Sequence, residues 1–472
     1  MSDDESRVVV VGAGPAGMAA AIAAADAGCA VTVLDAGMRP GGQYYRQPPP
    51  SFGQPLPKLI RQLVSHPGIT VRSGTTVVAA QPRDGGGAVL HVLRDDESVA
   101  LEEAPALVLA TGAYDRPLPF PGWTLPGVFT AGGAQAMVKG QHVLPGKRVA
   151  IAGTGPFLLP VASALAIAGA DVVGIFEANH PGGWARHLGA ALANPTKVAE
   201  ACRYAGVLGG RRIPFRYRHA VIAAHGTDRL QAVTVARLNP DWTPIPRSKR
   251  RYDVDALCIG FGFVPSVELA EGLGCKLDVD AHGAPVVATT DVVRTSVSGI
   301  FAAGEASGVG GAVLATLEGR LAGIAAAGGR SDRNRVAERR LRSRWARARA
   351  FADALDDVYA LRAGWRGWLD GDTVVCRCEE VSASDIGAAL DDGMAADLRS
   401  VKLHTRAGMG MCQGRMCGAS LAAIIEGATG ASPDPTTFVR RPFVVPVPLS
   451  SLASLAPGST NPDSGLSDGP AQ

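Results

Sequence analysis

Aromatic residues make up only 5% of this 472-residue chain, and charged residues 19%, below the usual quarter. The 59 glycines suit tightly packed helices crossing glycine-rich turns. A net charge of +3 is too small to argue for nucleic acid or a membrane surface as partner. No transmembrane segment is expected: the most apolar stretch, Leu158 to Ala170, stops at Asp171, short of the ~18–20 residues a spanning helix needs. The opening residues are acidic (Asp3, Asp4, Glu5) and lack the basic and apolar segments of an export signal, so a cytoplasmic location is expected. In that reducing compartment the eight cysteines favour metal or redox roles over disulfides. Chemical absences matter as well. No C-x-x-C pair occurs before Cys376, so a dithiol reductase mechanism lacks its couple. The nine histidines form no recognisable pairing with a nucleophile or an acid, and no catalytic residue can be named. That suits a chain that relays electrons better than one that dehydrogenates a substrate.

What is present begins at Arg7. A valine run ends in Gly12, a helical pattern follows, and a second strand runs from Ala30 to Asp35, a βαβ opening. Gly12-Ala13-Gly14-Pro15-Ala16-Gly17 lies between strand and helix. Its first glycine permits the tight turn, its second lets backbone approach a pyrophosphate, and its third lets helix and strand pack closely. The helix N-terminus offers N–H groups to the phosphates. Asp35, 18 residues after Gly17, stands where a ribose hydroxyl is held. This constellation predicts a dinucleotide site.

Three further segments resemble those of the two-dinucleotide-domain flavoproteins, the glutathione and thioredoxin reductase-like superfamily. Arg39-Pro40-Gly41-Gly42-Gln43 is similar to its loop along the flavin, and Leu107 to Gly112, with Thr111, to its strand-plus-ATG motif. Thr295 to Glu305, ending Gly304-Glu305, resembles its late FAD signature, with Glu for the commoner Asp. The resemblance implies FAD, held also at Val77, in a domain split by an insertion. Gly311 and Ala312 open the next helix, whose N-terminus is expected at the flavin pyrimidine edge, where its dipole favours charge on reduced flavin. The plainer reading is that these glycines merely shorten a turn.

A second βαβ pattern starts at Arg148, but Gly153-Thr154-Gly155-Pro156-Phe157-Leu158 has lost its third glycine. Leu158 puts bulk where helix and strand should touch, so the helix is expected to stand off or tilt. Glu177, ending the next strand, remains able to hold a ribose. The superfamily binds NAD(P)H here. The readings are a retained fold with a weakened or repurposed site, or working NADH binding, with Glu177 arguing against NADPH.

Toward the C-terminus, Leu341, Trp345, Ala348, Ala352, Leu355 and Tyr359 step as the stripe of an amphipathic helix whose other face carries Arg339, Arg340, Arg344 and Arg347. Beyond it, Cys376-Arg377-Cys378 and Cys412-Gln413-Gly414-Arg415-Met416-Cys417 supply four thiols to one site, as a [2Fe-2S] cluster requires. Structural zinc and reduced structural cysteines are the alternatives. Cys29, Cys202, Cys258 and Cys275 stand alone and read as small core residues.

Taken together, the order resembles the large flavoprotein subunit of heteromeric amino- and imino-acid dehydrogenases. That group spans opine oxidase, hydrogen cyanide synthase and D-hydroxyproline and L-proline dehydrogenase subunits, with sarcosine oxidase α more distant. The resemblance runs from Val8 to Ala453 and is sharpest at Ala110–Pro117, Pro121–Val128 and Thr405–Gly410. It implies α/β architecture: two Rossmann-like domains, the second inserted in the first, and a small helical BFD-like [2Fe-2S] domain. The expected boundaries are 1–115 and 285–330 for the FAD domain, 116–284 for the inserted NAD(P)-binding-like domain and 331–370 for a linker helix. The cluster domain takes 371–436, and the tail, 437–472, is disordered at its end. The implied partners are an oxidase-like flavoprotein β subunit, together with a small ferredoxin-like one, and a small-molecule acceptor. The competing functions are a stand-alone NADH-dependent flavoprotein reductase and a non-catalytic scaffold.

Overall fold

The computed structural model describes residues 7–49, 55–328, 332–393 and 395–453. The acidic opening residues, Ser331 and the tail from Pro457 lie outside them.

Arg7–Val11 is the central strand of a five-stranded parallel sheet in the order 300–302, 106–109, 7–11, 30–34, 69–72. Its valines are buried, as a parallel strand covered on both faces demands. On one face lie helices Pro15–Asp26 and Gly311–Ala326; Val8, Val10, Ala20, Ala24 and Leu321 share that core. On the other, the antiparallel strands 76–82, 88–93 and 99–104 pack Leu90, Val92 and Val77 against Val9, Val11 and Leu34. Ile300–Ala302 returns to pair with Leu107–Leu109, so this unit is split in sequence.

The intervening residues build a second five-stranded parallel sheet, in the order 215–217, 171–177, 148–153, 256–260, 128–130. Strands Ala113–Asp115 and Phe263–Pro265 pair antiparallel where the chain passes between the units.

Helix Asp332–Val358 follows, with Trp345, Ala352 and Tyr359 turned inward and Arg339, Arg340, Arg344 and Arg347 exposed. Beyond it Trp365 and Trp368 are buried in the second unit's core, and the Trp368 indole donates to the Trp242 carbonyl at 3.1 Å. The remaining chain forms a hairpin (374–376 with 381–382) and helices Ala383–Asp391, Leu398–Thr405 and Gly418–Thr429. Ser382 with Asp385, and Asp397 with Ser400, close reciprocal caps on the first two. This part is tied to the second unit by the Trp123 indole on the Val374 carbonyl (2.6 Å) and by Arg366 on the Ala423 carbonyl (2.7 Å). Among the described residues, no helix is long and apolar enough to cross a membrane.

Candidate redox sites

The first glycine loop has the shape its spacing predicts. Gly12 sits at φ +99°, and a methyl group on it would lie 2.3 Å from the Ala110 carbonyl oxygen. One on Gly17 would lie 1.7 Å from the Gly12 carbonyl oxygen, so helix and strand are in backbone contact. A methyl on Gly14 meets nothing within 4 Å. Gly14 also caps helix Pro15–Asp26, and no side chain caps it. An open, uncapped helix N-terminus behind two filled glycine contacts is a cradle for phosphate. Gly42 folds onto it, its Cβ position 2.9 Å from the Gly14 Cα, whereas Gln43 is exposed and accepts from Arg46. The buried Asp35 carboxylate accepts from the Ala13 N–H and, at 2.6 Å, from that of Gly37; burial raises its pKa. Thr111 donates to the Ser266 carbonyl at 2.5 Å, which joins the ATG turn to the chain leaving the second unit. Gly304 abuts Ala16, with a Cβ position 2.8 Å from the Ala16 Cβ. Val77 is a core residue on its strand.

Glu305 lies at the start of helix Gly311–Ala326, where its carboxylate accepts from the N–H groups of Gly311 (2.9 Å) and Gly310 (3.3 Å). Burial pushes its pKa up to about 7, and the nearby Glu318 carboxylate adds to the rise. Glu318, 4% exposed, accepts from the Gly304 N–H and the Trp345 indole. The helix N-terminus expected at the flavin therefore carries its own carboxylate. Sequence reasoning missed Glu318, whose only signal was an acid inside an apolar helix.

The second glycine loop departs from the first in where its helix begins. The first helix begins at Pro15, three residues past Gly12; this one begins at Leu158, five past Gly153. The intervening turn closes with Leu159 bonded to the Pro156 carbonyl. Glu177, 1% exposed, accepts from Thr154 (2.8 Å) and from the backbone of Asn179 and Gly155 (both 2.9 Å). Burial raises its pKa to about 7. Asn179 donates to Thr154 and to the Ala360 carbonyl, and the Tyr359 carbonyl lies 3.5 Å from the Thr154 hydroxyl. Residues 359–360, at the end of the long helix, thus lie on the loop that a nucleotide would need.

The four cysteines predicted as ligands come together. Cys417 is in hydrogen-bond contact with Cys376 and Cys412, and Cys412 with Cys378. Those contacts lower Cys376 to about 6 and Cys412 to about 5 and push Cys417 up; Cys378 is raised, by burial first. The Gly408 N–H points at the Cys376 sulfur, 3.3 Å away. A methyl on Gly410 would lie 2.2 Å from the Cys378 Cβ, so the loop needs glycine there to approach. Phe438 packs on Gly408, Gly414 and Gly418 behind the site. The sulfurs form a chain: among the described residues no group of three or more His, Cys, Asp and Glu side chains surrounds a single-ion site.

Residues 6–327, more than half of the sequence, match the pyridine nucleotide-disulphide oxidoreductase family. The chain belongs to that family. Residues 374–427 match the BFD-like [2Fe-2S] binding domain. This member of the pyridine nucleotide-disulphide oxidoreductases is thus an FAD-dependent oxidoreductase with an iron–sulfur domain. Hydrogen cyanide synthase subunit HcnB of Pseudomonas aeruginosa is 36% identical over 95% of this chain and 98% of its own. An opine oxidase subunit from Agrobacterium tumefaciens is 33% identical over 95% of this chain and 91% of its own. The structure of L-proline dehydrogenase from P. horikoshii matches 95% of this chain and 80% of that chain with a TM-score of 0.68 at 21% identity, a likeness of fold. Both named sequence relatives are subunits of oxidising or synthesising enzymes, which supports the coarse expectation that this chain works within a larger assembly.

Proposed function

We propose that this chain is the electron-relay subunit of a heteromeric amino- or imino-acid dehydrogenase or oxidase, of the opine, hydroxyproline, proline, glycine or sarcosine class, working in the cytoplasm. A separate oxidase-like flavoprotein subunit takes hydride from the carbon beside an amine. Electrons then pass through this chain to a small-molecule acceptor. FAD contributes a two-electron carrier and the [2Fe-2S] cluster a one-electron carrier. The protein's part is to hold them. Gly12, Gly14, Pro15, Ala16 and Gly17 would offer the pyrophosphate a helix N-terminus, and Asp35 would offer the ribose an acceptor. Gly42, Gln43, Thr111 and Gly112 would border the flavin, with Val77 a further residue of the FAD site, and Gly304, Glu305, Gly311 and Ala312 would serve its ribityl and pyrimidine side. Glu305, with a pKa near 7, is placed to take up a proton when negative charge grows beside it. Cys376, Cys378, Cys412 and Cys417 would hold the cluster as its four thiolate ligands.

One observation carries this reading. The loop between Cys412 and Cys417 lays Arg415 over the ring of Tyr114, which directly follows Gly112 and Ala113, so the two redox segments adjoin. The stand-alone NADH reductase is disfavoured by residues 359–360 lying on the second glycine loop. Purified chain with FAD, iron and labile sulfide is expected to keep its flavin colour with NADH alone. It should bleach with an imino acid once the oxidase-like subunit is added. Rapid bleaching by NADH alone overturns the reading in favour of the reductase, and absence of labile sulfide favours the scaffold.

A further inference from the structure

Where the cluster loop meets the flavin-side turn, three charges are buried together. Glu268 is 3% exposed; Arg415 and Arg441, each 10% exposed, reach its Oε1 at 2.7 Å and 2.9 Å. Arg415 lies between Cys412 and Cys417, and its Nη1 is 3.5 Å from the Cys412 carbonyl oxygen. Arg441, from the chain beyond the cluster domain, donates to the Gln413 carbonyl at 3.3 Å. The other Glu268 oxygen accepts from Ser266 at 3.0 Å. Ser266 in turn donates its N–H to the Gly112 carbonyl (2.9 Å) and accepts from Thr111. A continuous set of polar contacts therefore runs from the cysteine loop to the ATG turn. Tyr114, Glu268, Gln413, Arg415, Phe438 and Arg441 line a narrow cavity at this seam.

Two guanidinium groups against one carboxylate leave a net charge of +1. Burying three ions costs desolvation that packed apolar residues of like volume would avoid, so stability alone does not favour the arrangement. Its effect is electrostatic. A [2Fe-2S] centre gains negative charge on reduction, and a positive charge held beside it in a partly dry seam favours the reduced form.

We infer that Arg415, Glu268 and Arg441 are positioning residues that dock the cluster loop on the flavin-side turn and, through their net positive charge, raise the cluster's reduction potential. The inference rests on the cluster assignment in the proposed function but not on the partner or the substrate.

The test is an anaerobic potentiometric titration of the purified holo-chain, with the cluster followed by electron paramagnetic resonance. Glu268→Gln leaves two uncompensated guanidiniums and is expected to raise the midpoint. Arg441→Met, outside the cysteine motif, is expected to lower it, and Arg441→Lys to restore the wild-type value. A merely structural role moves the Gln and Met variants the same way, so shifts of one sign, or none, overturn the inference. If Glu268→Gln assembles no cluster, the Arg441 pair decides: a fall for Met and not for Lys supports it, and equal behaviour overturns it. Absence of a cluster signal in the wild type would instead remove the proposed function itself.

Discussion

A methyl group on Gly319 would lie 2.1 Å from the carbonyl oxygen of Ala16. One turn on, Gly323 stands the same way to Ala20, at 2.2 Å. The two helices over the first sheet therefore meet backbone to backbone, and that contact fixes Gly304 against the glycine loop. Gly319→Ala is expected to destabilise the fold by about 1–3 kcal/mol, the usual cost of overpacking. It should also loosen FAD. Denaturant midpoints with and without added FAD check both effects.

Gly14 and Gly17 should fail differently. Gly14→Val adds bulk into open space, so the chain folds but admits no pyrophosphate. Gly17→Val drives bulk into the Gly12 carbonyl and is expected to abolish folding of the unit. Circular dichroism beside the bound-flavin spectrum separates them; full flavin occupancy in Gly14→Val would defeat the site assignment.

Cys412→Ser is expected to remove the iron–sulfur absorbance and leave FAD bound, because no cysteine of the cluster set lies in the glycine loop. Iron and flavin content per chain measure this. Parallel loss of both cofactors contradicts it.

Glu177 predicts a pH dependence. Burial lifts its pKa from 4.5 to about 7, so the folded chain binds a proton that the unfolded chain releases between those values. Wild-type stability therefore falls as pH rises through that window and levels above it. Relative to Glu177→Gln, the slope approaches about 1.4 kcal/mol per pH unit. Urea unfolding of both proteins from pH 4.5 to 8 reads it, and a pH-independent difference between them sinks the prediction.

The first unit was legible because its signals are local. Gly12, Gly14, Gly17 and Asp35 sit within one βαβ pattern, and their roles follow from spacing. The missing third glycine at Leu158 was legible for the same reason, whereas the later start of its helix was not. What fills the second loop was not. Tyr359 and Ala360 lie far along the chain from Thr154, and their backbone carbonyls, which any residue type would supply, make the contact. Glu177 was legible as a residue of the second loop, but not its neighbours Thr154, Gly155 and Asn179, which the fold brings to its oxygens. Gly319 and Gly323 did show a signal, two glycines four apart on a helix, hidden among many others. Arg415 gave no signal of its own within the Cys412–Cys417 segment, since only the folded chain brings Glu268 to it.

The covered second loop has a practical consequence. Against the second glycine loop this protein seats residues 359 and 360, which lead from the long helix toward its iron–sulfur domain. A nicotinamide mimic that wedged the loop open would have to lift Tyr359 and Ala360, and the pull would be felt at Trp365 and Trp368 beside the hairpin bearing Cys376. Such a compound would act as a lever on the module's mooring.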